Sequence, residues 1–122
     1  MPVTPTPVNP QVTVYPAVGS TAAYCSPNSV SPVGANATIT FKIAPGNPTW
    51  SFASSKAFQI KSTQSPQPPA GMFTNPNPNS QGNLVVQDKN GDGVLYSYNL
   101  KITKGTTTVT IDPYIQNDTD NV

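Results

Sequence analysis

Apolar and polar residues alternate with a period of two along much of this 122-residue chain. The longest run, residues 94–103, carries Val94, Tyr96, Tyr98, Leu100 and Ile102 on one side, with Ser97 and Asn99 between. Residues 36–44 place Ala37, Ile39, Phe41 and Ile43 on one face and Thr38, Thr40 and Lys42 on the other. Successive side chains of a β-strand point to opposite faces, so each run predicts a half-buried strand. Shorter strands are predicted at 49–53 (Trp50 and Phe52 inward), 57–61 (Phe58 and Ile60), 83–87 and 106–111 (Val109 and Ile111). A further one at 11–18 contains Pro16, which implies an edge or a bulge.

Between these runs the chain is punctuated by Pro, Gly, Ser and Asn. Residues 1–10 carry Pro at 2, 5, 7 and 10 and read as an extended arm, because proline fixes φ and removes a donor. Residues 19–34 read as a connector. Residues 64–80 read as an exposed Pro-rich connection with a short strand near Met72. Ser54-Ser55-Lys56 either closes a hairpin or separates two strands on different sheets. Asn90-Gly91 and Lys104-Gly105 lie between alternating runs and predict hairpin turns, since glycine accepts the positive φ that such turns need. No stretch has helical periodicity.

The expected fold is an all-β, immunoglobulin-like antiparallel β-sandwich of about seven strands. Residues 1–10 form the arm, 11–116 a single sandwich domain, and 117–122 a polar tail. Trp50 is expected in the core. Tyr96 and Tyr98 are expected to point inward with hydroxyls at the rim, and the single Cys25 to be a small buried or loop residue that rules out an internal disulfide.

Composition narrows the chemistry. Charged residues are 9% of the chain, against about 25% in ordinary globular proteins. The chain has no His, Arg or Glu; six Lys and five Asp leave a net charge of +1. General acid–base catalysis and nucleophilic triads lack their commonest base, so the chain is not expected to be an enzyme. Six scattered lysines do not make a nucleic-acid surface, and no apolar run is long enough for a membrane-spanning helix. The first ten residues lack the basic start and apolar stretch of a secretion signal. The expectation is cytoplasmic synthesis into a virion, or an extracellular location after processing.

One motif is sharp. Asp88-Lys89-Asn90-Gly91-Asp92-Gly93 matches the first half of an EF-hand loop. The twelfth position, normally Glu, is Asn99, inside a predicted strand, so this is not an EF-hand. A plain turn is the expectation, because short Asp, Asn and Gly residues suit turns without any ion. The alternative is a weakly bound Ca²⁺ on Asp88, Asn90 and Asp92, the only cofactor the residues suggest. A hydrolase using Asp88 and Asp92 is disfavoured, because both are expected to be solvated. The glycosylation patterns at Asn36 and Asn117 are expected as chance matches in an Asn- and Thr-rich chain.

The strand at 83–87, the DKNGDG turn, the long YSYNLKI strand and the hairpin after it resemble the end of small immunoglobulin-like modules of bacterial surface and phage virion proteins. The resemblance covers about forty residues. It implies an adhesive or structural module and carries over no catalytic residue. With the charge-poor surface, the Pro-rich arm and an edge-like strand at 106–110, it implies a protein that self-assembles or docks on a larger particle. The alternative is a carbohydrate- or peptide-binding module that uses Trp50, Tyr15, Tyr24 and Tyr114 as stacking faces.

Overall fold

In the computed structural model, residues 9–16, 23–34, 36–45, 50–74 and 76–117 are described. They form ten strands: β1 (Gln11–Tyr15), β2 (Tyr24–Ser26), β3 (Ser29–Val30), β4 (Ala37–Ile43), β5 (Ser51–Phe52), β6 (Phe58–Ile60), β7 (Leu84–Asp88), β8 (Leu95–Lys104), β9 (Thr107–Ile111) and β10 (Tyr114–Gln116). No helix among the described residues is long and apolar enough to cross a membrane.

β8 organises one sheet. Along it Tyr96, Tyr98, Leu100 and Ile102 are all buried while Ser97, Asn99, Lys101 and Thr103 are half-buried, so the alternation in the sequence is realised residue by residue. One side of β8 pairs with β6 and then β5; the other pairs with β9 and then β10, and β3 lies parallel to β10. The second sheet has the order β2-β1-β4-β7. In it β4 buries Ala37, Ile39 and Phe41, and β7 buries Leu84, Val86 and Asp88.

The two inner faces meet in a core that includes Val12, Val14, Ile39, Phe41, Phe58, Leu84, Val86, Tyr98, Leu100, Ile102 and Ile115. Aromatic rings cross it from both sheets. Phe41 of β4 lies edge-on to Tyr98 of β8 at 5.9 Å, and Phe58 of β6 lies 4.9 Å from the same ring. Such tilted and edge-on contacts add to what burial of the rings contributes.

The class is the expected all-β sandwich, with differences in detail. The sheets are mixed, because β1 runs parallel to β4 and β3 parallel to β10. There are ten strands where about seven were expected, because short pieces had no legible alternation. The connector at 19–34 contains β2 and β3, and β10 follows Asp112-Pro113. β1 ends before Pro16, and the rest of the strand expected to reach residue 18 lies outside the described residues.

Ser54-Ser55-Lys56 neither closes a hairpin nor separates sheets. β5 and β6 both pair with β8, in sequence along the same side, and Lys56 at φ 55° marks the break between them. The Asn90-Gly91 turn is not a hairpin either, because β7 belongs to one sheet and β8 to the other. Sheets packed face to face lie about 10 Å apart, and a six-residue link spans that gap where a two-residue turn would not. The Lys104-Gly105 turn is a hairpin as expected, with Lys104 opposite Thr107 and Gly105 at φ 58°.

The Pro-rich segment is tied to both sheets rather than simply exposed. The Gln64 side chain donates to Leu95 O and accepts from Ser97 N and Ser97 Oγ, so an amide takes a strand's place beside β8 where β6 has ended. Residues 72–74 run along the outer edge of β7: Lys89 N donates to Met72 O and Thr74 N to Gln87 O. Where a short strand was expected near Met72 there is a single isolated bridge, Phe73 to Asp88. Across β4 at the same end of this sheet Asn9 and Pro10 are already tied in, since Thr38 N donates to Asn9 Oδ1 and Thr40 N to Pro10 O. The rest of the expected arm, residues 1–8, lies outside the described residues.

Cys25 is buried on β2, and burial pushes its thiol up to about 11, which makes it inert. Tyr98 departs from expectation: its hydroxyl is fully buried in the core and has no hydrogen-bond partner, whereas that of Tyr96 reaches the rim. Removing an unsatisfied buried hydroxyl removes a desolvation cost of about 1–3 kcal/mol, although a small void is left. Tyr98→Phe is therefore expected to leave stability unchanged or raise it by about 1 kcal/mol in urea unfolding. Phe41→Ala, at the same contact, is expected to cost about 3–5 kcal/mol. A Tyr98→Phe protein destabilised by more than about 1 kcal/mol would show that the hydroxyl has a partner.

Candidate cation site

The alternation that buries Leu84 and Val86 continues one step to Asp88, the last residue of β7, and turns its carboxyl inward with them. Asp88 is 0% exposed. The chain then has to leave one sheet and enter the other, and it does so through left-handed backbone at Asn90 (φ 65°), Gly91 (φ 94°) and Gly93 (φ 71°). This coil returns Asp92 towards Asp88 just before β8 begins. The end of β10 supplies a third group: Ile115 points inward, and two residues later so does Asn117, 2% exposed.

Hydrogen bonds fix most of the polar atoms here. Asp88 Oδ1 accepts from Asn90 N at 2.8 Å. Asp92 Oδ1 accepts from Val94 N at 3.1 Å and from Asn117 Nδ2 at 3.0 Å, and Tyr96 Oη donates to Asp92 Oδ2. Asn117 Nδ2 also lies 3.6 Å from Met72 Sδ, and Asn117 N donates to Val94 O at 3.0 Å. Two buried oxygens have no hydrogen-bond partner, Asp88 Oδ2 and Asn117 Oδ1.

The two carboxyls are held in opposite electrostatic states. Burial pushes Asp88 up from an ordinary 3.8 to about 6; the Asn90 N–H pulls the other way, the charge of Asp92 raises it further, and the Asn117 amide nearby gives a smaller lowering. Burial also acts to raise Asp92, but hydrogen bonds from Tyr96, Val94 N–H and Asn117 outweigh it and hold that carboxyl below its ordinary value. The Tyr96 hydroxyl is pushed well up by burial and by its bond to Asp92, so it remains a donor.

Of the three residues picked out in the sequence, the structure brings Asp88 and Asp92 together. The Asn90 side chain points elsewhere: its Nδ2 donates to Pro32 O and Gly34 O, pinning the turn to the segment between β3 and β4. The expectation that both aspartates are solvated fails for Asp88 and holds for Asp92, which is exposed. Asn117, assigned to a polar tail, is instead a buried member of the cluster, and its amide nitrogen is engaged. Residues 118–122 of that tail lie outside the described residues. Among the described residues no three His, Cys, Asp or Glu side chains converge, so the cluster is two carboxylates and an amide.

The aromatic candidates do not form one patch. Tyr15 and Tyr24 stack at 4.9 Å on adjacent strands of one sheet, both exposed, whereas Tyr114 is exposed on β10 of the other. Trp50 is half-buried against the core with Lys104 Nζ 5.5 Å from its ring centre, and lines a cleft of about 380 Å³ with Ile43, Phe52 and Pro78. A second cleft, of about 230 Å³, lies between Phe58, Ile60, Pro68, Pro69 and Phe73. Neither of these two clefts is lined by Asp88 or Asp92.

No protein-family model matches this chain, and no curated protein matches it.

A carboxyl whose folded pKa lies above its unfolded value binds its proton more tightly in the folded state. Its contribution to stability is therefore present at low pH and lost as pH rises from about 4 to about 6. For Asp88 that loss is on the order of 3 kcal/mol as an upper bound. Asp88→Asn keeps an acceptor for Asn90 N–H and removes the charge. In chelator-treated buffer the wild type is expected to lose stability relative to Asp88→Asn across that window, and to melt several degrees lower at about pH 7.5. Melting curves of the two proteins that stay parallel from about pH 4 to pH 7 would contradict the assignment.

Proposed function

We propose that this chain is a non-enzymatic structural or interaction module that self-assembles or docks on a larger particle, of the kind found in phage virions and bacterial surface assemblies. The observation that carries this reading is β9. Among the described residues it pairs with β8 alone, and its exposed positions are Thr107, Thr108 and Thr110. Its sequence TTVTI contains no charge and no proline. Natural sheets usually protect an open edge with lysine, proline or a bulge; an unprotected edge can accept another strand through its free N–H and C=O groups. A net charge of +1 adds little repulsion between copies.

A second reading, a carbohydrate- or peptide-binding module, is favoured by the exposed Tyr15–Tyr24 stack and by the Trp50 cleft. In it the flat ring faces would take a sugar or a proline-rich peptide.

Light scattering across a concentration series separates the two. For assembly, the mass of the wild type is expected to rise above that of a monomer. Thr108→Lys with Thr110→Lys, two cations placed on exposed edge positions, is expected to return it to monomer without loss of fold. Removal of residues 1–8, which spares the Asn9 and Pro10 hydrogen bonds to β4, tests the arm separately. A wild type that stays monomeric at high concentration contradicts assembly. Glycan-array binding that disappears in Tyr24→Ala would then support the second reading.

A further inference from the structure

We propose that Asp88, Asp92 and Asn117 form a calcium site that joins the two sheets of the sandwich. The inference is independent of the assembly reading and rests on two oxygens, Asp88 Oδ2 and Asn117 Oδ1. Both are buried and neither receives a hydrogen bond. The amide of Asn117 has a defined orientation, because a carboxylate only accepts: the atom that donates to Asp92 Oδ1 is nitrogen, and the other atom is therefore the carbonyl oxygen. A carboxylate oxygen and an amide oxygen thus share one small polar cluster with a second carboxylate, and the Asn117 amide nitrogen beside them is engaged with Asp92 Oδ1.

Buried acceptors without donors call for a positive charge or a donor from outside the chain. A water satisfies the lone pairs but leaves the negative charges of Asp88 and Asp92 uncompensated. A divalent cation does both. The available donors are all oxygens, which suits a hard cation. Calcium accepts mixed carboxylate, amide and water ligands in irregular geometry, whereas magnesium requires a near-regular octahedron. Asp92 is exposed and its Oδ2 accepts one hydrogen bond, from Tyr96, so the ion has a route from solvent and room for water ligands on that side.

This set differs from the linear motif. It uses the first and fifth positions of the DKNGDG turn and replaces the third, Asn90, whose amide is committed to Pro32 and Gly34, with a residue from the end of β10. Asp88 ends a strand of one sheet, while Asp92 and Asn117 flank strands of the other. An ion held by all three bridges the sheets at one end of the sandwich. It binds only when they are packed, and so stabilises the fold by mass action.

The test is thermal melting after chelator treatment, followed by addition of about 5 mM calcium chloride, magnesium chloride, or sodium chloride at matched ionic strength, with titration calorimetry for stoichiometry. Calcium is expected to raise Tm by about 5 °C or more, sodium to leave it unchanged, and one calcium ion to bind per chain. Asp88→Asn, which keeps the shape of the side chain, and Asn117→Ala are each expected to lose the response; Asp112→Asn, on the surface, is expected to keep it. If Asn117→Ala does not fold, calorimetric titration of the wild type against Asp88→Asn decides the matter. A wild-type Tm unmoved by calcium, or a response retained in full by Asp88→Asn, overturns the proposal.

Discussion

An ionised carboxylate inside a protein needs a compensating charge or a dense set of donors, and the region around the β7–β8 turn is arranged around one that has neither in full. β7 must bury Leu84 and Val86 to build the core, and the same pleat buries Asp88. The polar cluster follows from that constraint. Asn90 caps one oxygen through its backbone, Tyr96 and Asn117 hydrogen-bond the Asp92 carboxylate, and the left-handed coil of the turn brings these groups within reach. The residual charge is what the proposed calcium ion would compensate.

The rest of the domain is built to tolerate one such defect. The core is contributed about equally by the two sheets, and Phe41, Phe58 and Tyr98 bridge them. Polar duties that charged residues perform elsewhere are taken by amides. Gln64 completes the side of β8, Gln116 Nε2 ties β10 to Gly93 O, and Asn90 holds the segment before β4. Amides supply paired donors and acceptors without a net field, which is how a chain with so few charges still satisfies its backbone.

Much of this was legible in the residues. The runs in β4 and β8 are long enough for alternation to fix both strand and face, and they did so for Ile39, Phe41, Tyr96 and Leu100. Strands of two or three residues, such as β3 and β10, carry too few positions to show a period and take their place from neighbours already in the sheet. The Asn90-Gly91 turn has hairpin chemistry but joins two sheets, because burial of both flanking strands on opposite layers overrides local turn preference. The burial of Asp88 was available in principle, since Leu84, Val86 and Asp88 share one parity. Asn117 had no such signal, because the strand that places it was itself not visible.

The account turns on the state of one carboxyl group. Carbon-13 NMR of the Asp88 side-chain carboxyl, followed through a pH titration of chelator-treated protein, reports that state without reference to global stability. The account predicts a midpoint near 6, well separated from that of Asp92, which titrates below the usual carboxylate range. An Asp88 carboxyl that titrates at the ordinary value of about 3.9 would mean that it is solvated or fully paired, and would contradict the account.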